Sequence, residues 1–129
     1  MTNPSTETVA VPGAAVLSAW TTHDWRDEIN LQHLAAFERI VVTTRNNTYV
    51  IVVTSPSTGE VLVRGGHFFP EFTAARLAGS SLGGSFLKLR SVNVGFQLEF
   101  TQEDADPVIT TRVRTARVVP VTGTSDEAM

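Results

Sequence analysis

The sequence predicts a mainly β protein, a small antiparallel β-barrel of about six strands preceded by one short N-terminal helix. Three observations carry that expectation. From Glu38 onward the apolar residues recur with a period of two, the period with which side chains alternate across a strand. The pair Asn46-Asn47, residues 55–59 and the pair Gly65-Gly66 are turn-forming clusters that cut this pattern into strand-length runs. The chain has 129 residues and no cysteine, so a single core must hold it without disulfides or thiolate metal sites.

Residues 1–21, rich in Thr, Ser and Pro, are expected to form a disordered arm, because no periodic apolar face lies among them. Pro12 and Gly13 break their only apolar run, so a secretory signal is not expected. No stretch approaches the roughly 18 apolar residues of a membrane span, and a cytoplasmic location is the expectation. Residues 22–121 are expected to form one domain. Thr22 or Asp24 can cap a helix running to about Ala36, with Asp24, Asp27 and Glu28 in its first turns, where carboxylates favour the helix dipole.

Two β-branched runs, 39–45 and 48–53, flank Asn46-Asn47, residues that tolerate positive φ. A two-residue turn there sets Thr44 opposite Tyr49, Val42 opposite Ile51 and Ile40 opposite Val53, with one apolar face inward. Residues 60–64 return as a third strand. Residues 70–78 fit a helical turn or a strand, and strand is expected from about Ala75. A Gly/Ser turn at 79–85 leads into residues 86–90, where Phe86, Lys88 and Arg90 share a face, and then into strict alternation. In that alternation Val92, Val94, Phe96, Leu98 and Phe100 face one way and Asn93, Gly95, Gln97 and Glu99 the other. The last strand, residues 108–119, sets Ile109, Thr111 and Val113 against Arg112 and Arg114. Residues 122–129 are expected to be an acidic, disordered tail.

The formal charge is −3, unevenly spread: residues 37–121 carry nine basic and seven acidic groups, and both ends are acidic. This balance does not suit a nucleic-acid coat. Residues 79–83 spell G-x-S-x-G, yet a nucleophile elbow needs a helix after the serine, and here an evident strand follows. No Gly-Lys-Ser/Thr triplet is present, so the glycines of 79–85 do not form a P-loop. His23, His33 and His67 are scattered and lack a third ligand in register, so no metal and no cofactor are expected. Without a nucleophile–base pair the chain is not expected to be an enzyme.

The stretch from Thr44-Arg45-Asn46 through Val61-Leu62-Val63-Arg64-Gly65-Gly66-His67-Phe68-Phe69-Pro70 to Phe86-Leu87-Lys88 resembles a group of short, uncharacterised bacterial β-rich proteins. That likeness covers residues 38–119 and implies no activity. Ser81-Leu82-Gly83-Gly84, followed by residues 94–100 and a closing strand, is similar to the second half of PilZ-type β-barrels, which bind cyclic di-GMP. Ser81 and Gly84 match that family's Asp/Asn-x-Ser-x-x-Gly signature, whereas Gly79 stands at its acidic or amide position and the preceding Arg-x-x-x-Arg has no counterpart. The resemblance implies barrel topology rather than the family's ligand contacts.

The functional expectation is a non-catalytic binding or regulatory module. Its partner is a protein or a second copy, held through His67, Phe68 and Phe69, aromatics in a Gly/Pro-bounded loop that can anchor a partner or plug the core. The alternative is a PilZ-like nucleotide or anion binder using the 79–85 turn. A phosphorylated small ligand would then meet Arg64, Ser81, Gly84, Lys88, Arg90, Arg112 and Arg114.

Overall fold

The computed structural model describes residues 28–82 and 86–121. Its strands are β1 (Ile29–Asn30), β2 (Arg39–Thr44), β3 (Thr48–Ser55), β4 (Glu60–Gly65), β5 (Phe69–Leu82), β6 (Phe86–Leu89), β7 (Ser91–Val92), β8 (Gln97–Gln102) and β9 (Ala105–Val119). The pairings β2–β3, β3–β4, β4–β5, β5–β8, β8–β9 and β9–β2 are all antiparallel and make a ring of six strands. Two long strands make the ring possible. β5 pairs with β4 through its first half and with β8 through its second, while β9 passes from β8 to β2. β6 adds to the second half of β5, and β1 pairs with β7.

The expected N-terminal helix is not seen from residue 28 onward. Instead β1 leads into a single 3-10 turn, Leu31–His33, capped by Asn30, whose side chain accepts from the Gln32 N–H at 2.9 Å. The segment is fixed by strand pairing and by Leu31, which enters the core with no exposed surface, so tertiary contacts override the helical reading. The start of that expected helix, the expected arm and the expected tail lie outside the described residues. Among the described residues no helix is long and apolar enough to cross a membrane.

The core takes Ile40 and Val42 from β2, Tyr49, Ile51 and Val53 from β3, and Val61 and Val63 from β4, as period-two alternation requires. The first hairpin is nevertheless shifted from its expected register. Val42 faces Tyr49 and Ile40 faces Ile51, because the turn is centred on Arg45 and Asn46 and closed by the Thr44 N–H donating to the Asn47 carbonyl at 2.9 Å. Neither Asn46 nor Asn47 has positive φ. A shift of two residues preserves the side-chain parity, so the inward set is the expected one.

β5 is strand throughout Phe69–Leu82, so residues 70–78 hold no helical turn, and Gly79, Ser80, Ser81 and Leu82 are buried strand rather than an exposed turn. Val92, Val94 and Phe96 do not continue one strand into β8. The chain turns at 93–96 with Gly95 at φ +92°, leaving Val94 half exposed and Asn93 buried. On β9 the buried residues are Val108, Thr110 and Val113, while Ile109 and Thr111 point outward. Four β9 residues, Ile109 to Arg112, stand against three of β8, Glu99 to Gln97, and this bulge reverses the parity along the strand.

Candidate functional site

Two places gather chemistry. The first is a polar corner where β5, β6 and β7 meet the segment before β1. Ser80 Oγ donates to the Ser91 carbonyl at 2.9 Å, and Ser91 Oγ donates to the Lys88 carbonyl at 2.9 Å. Asn93 Nδ2 lies 3.3 Å from Ser80 Oγ, 3.2 Å from Ser91 Oγ and 3.2 Å from Glu28 Oε2. Glu28, nearly buried, also takes an ion pair from Lys88 Nζ at 3.2 Å. The Ser80, Ser91, Asn93, Glu28 and Lys88 side chains each have a partner, the condition under which burying them is tolerated.

The corner depends on Gly79. Its φ is +148°, and a Cβ there would stand 2.0 Å from the Lys88 carbonyl oxygen, so only glycine lets β6 approach β5. Immediately after β6, Arg90 adopts φ +49° and its stem lies over Gly59, where an added Cβ would be 3.2 Å from Arg90 Cγ. Arg90 therefore leaves the face that Lys88 occupies. Its Nε is buried and has no hydrogen-bond partner among the described residues.

The second place is the β4–β5 hairpin and the outer face of the sheet below it. Gly65 and Gly66 carry the chain over Tyr49, and a Cβ on Gly65 would meet the Thr48 carbonyl oxygen at 2.3 Å. Burial under this turn pushes the Tyr49 phenol above its ordinary value of 10.0, opposed by a hydrogen bond from Asn47. His67 and Phe68 stand exposed at the tip with their rings edge to face at 5.6 Å. Phe68 is 60% exposed, whereas Phe69 has no exposed surface and packs edge to face on Phe100 at 5.5 Å. One residue farther along the outer face, the Arg64 guanidinium lies 4.6 Å over the ring of Phe72, itself 43% exposed. Leu62 and Ala74 extend this surface into a groove of about 610 Å³ whose far end holds the Glu60–Arg76 ion pair and Gln102.

The sequence-derived residues therefore separate. Arg64, His67 and Phe68 share the hairpin and its outer face, with Phe69 beneath them in the core. Ser81 and Lys88 belong to the β5–β6 ladder, where Ser81 is buried opposite Leu87 and Gln97. Arg112 and Arg114 are exposed on β9, Arg112 donating to the Gly95 carbonyl at 3.1 Å. Gly84 lies outside the described residues. Phe72 and Leu62 were not among the candidates, although Val61-Leu62-Val63 offered a signal: an apolar residue at an outward position of an alternating strand. Glu28, Ser80 and Asn93 gave none, since nothing local sets a helix-reading glutamate beside a serine 52 positions away.

Among the described residues no group of three or more His, Asp or Glu side chains could hold a metal ion. Comparison of the chain with protein-family models, with characterised proteins and with solved structures finds no match.

Proposed function

We propose that the six-stranded ring is a small β-barrel that works as a non-catalytic binding or regulatory module, with the β4–β5 hairpin as its contact surface. One observation carries the reading. Phe68 and Phe72 stand exposed on either side of Phe69, whose ring is sealed in the core, so the hairpin is pinned by one aromatic and presents two others. Large rings held out on an anchored backbone can bury apolar area at little cost in ordering, as interface anchors do. The nucleotide or anion alternative has less support, because Lys88 is engaged with Glu28 and Ser81 is buried.

The test is the double substitution Phe68→Ser and Phe72→Ser, compared with wild type immobilised at equal density. The variant should melt within about 2 °C of wild type, as exposed substitutions do, and should lose the proteins that the wild type retains. Retention of the same proteins by a folded variant would overturn the reading.

A further inference from the structure

Strand register extends the hairpin surface into an ordered face. Val41 pairs with Arg117 on β9 and with Val50 on β3, and Val50 pairs with Arg64 on β4. Directly paired residues in antiparallel strands share a face, so Arg117, Val41, Val50 and Arg64 form one row that ends on Phe72 through the Arg64 stack. The neighbouring row runs Arg39, Val52, Leu62 and Ala74. Both rows point outward, because their strand neighbours Ile40, Val42, Ile51 and Val63 fill the core. Arg39, Arg64 and Arg117 make no ion pair with any described acidic group, and Glu60, in the next row, is already taken by Arg76. An aliphatic face framed by three guanidiniums that no described carboxylate pairs selects for opposite charge with apolar side chains between.

Resting on the surface assigned above, we propose that its partner is an acidic polypeptide segment in extended conformation, crossing the strands with carboxylates four residues apart and an apolar side chain midway. The spacing supports this pattern. Strands stand about 4.8 Å apart, which puts Arg117 and Arg64, three strands distant, about 14 Å from each other. An extended chain rises about 3.3 Å per residue, so positions i and i+4 lie about 13 Å apart on one face, with i+2 over Val41 and Val50. Valine and leucine rows suit such aliphatic side chains better than nucleobases, which stack on aromatic platforms.

The experiment is an NMR titration of the isotopically labelled full chain with three synthetic heptapeptides carrying Glu, Gln or Lys at the two charged positions and Leu between. The Glu peptide should shift resonances of Arg39, Val41, Val52, Leu62, Arg64 and Arg117, bind more weakly as salt rises, and lose about tenfold in affinity to the triple variant Arg39→Gln, Arg64→Gln, Arg117→Gln. Absence of those shifts, or equal binding of the Lys peptide, would overturn the proposal. Equal binding of the Gln peptide on the same residues would overturn the acidic assignment while leaving the contact surface in place, which the Phe68 and Phe72 substitutions test separately. Tighter binding of oligothymidylate there would replace the polypeptide by nucleic acid. Self-association abolished in the triple variant would replace it by a second copy.

Discussion

The β2–β3–β4 meander and the corner formed by β5, β6 and β7 are held by different forces. In the meander, inward positions are Val, Ile, Tyr and one Thr, neighbouring strands are joined by short turns, and stability comes from apolar area removed from water. In the corner, buried positions include Ser80, Ser81, Ser91 and Asn93, and the backbone approach at Gly79 leaves no space for a methyl group. The first region tolerates modest changes of shape because packing is spread over many contacts. The second depends on single atoms, since each hydrogen bond there satisfies a group that burial would otherwise penalise.

That contrast is tested most severely by Gly79→Ala. With the Lys88 carbonyl oxygen 2.0 Å from the new Cβ, and a backbone at φ +148°, the variant should lose about 5 kcal/mol or fail to fold. Gly95→Ala is the control: its φ is +92° but nothing lies within 4 Å, and the loss should be only about 1–2 kcal/mol in urea denaturation. Equal effects would show that conformation rather than close approach makes the corner intolerant.

Phe69→Ala should cost about 3–5 kcal/mol by removing a fully buried ring from its contact with Phe100, whereas Phe68→Ala at the same hairpin should stay within about 0.5 kcal/mol. Glu28→Gln should cost about 1–2 kcal/mol, because the Lys88 ion pair is weakened at a nearly buried site while the Asn93 contact can persist. Within the meander, Ile51→Val should cost about 1 kcal/mol, read from the same denaturation curves. A smaller loss for Glu28→Gln than for Ile51→Val would erase the distinction between the regions.

The smallest effect concerns pH. Burial raises the Tyr49 phenol in the folded chain, so unfolding releases its proton more readily. The associated stability is complete below pH 10.0 and is lost as pH rises from there through the folded value. Denaturation midpoints should therefore fall more steeply above pH 10.0 in wild type than in Tyr49→Phe.

Alternation by itself determined the inward set of β2, β3 and β4, because a residue's side of a strand depends only on parity, and the two-residue displacement of the first hairpin left parity intact. The Gly/Pro-bounded loop marked His67, Phe68 and Phe69 as partner-binding candidates, while Arg64 was a candidate only for a phosphorylated ligand. The tertiary structure alone decided where parity fails. The β9 bulge that turns Ile109 outward, the break at Gly95 and the pinning of Leu31 each arise from pairing with residues distant in the chain. It alone decided which of two adjacent phenylalanines enters the core, and it alone assembled Glu28, Ser80, Lys88, Ser91 and Asn93. It also alone set Arg39, Arg64 and Arg117 on one face. Such groupings depend on long-range register, and register follows from how the six strands meet around one core, which no local stretch of sequence specifies.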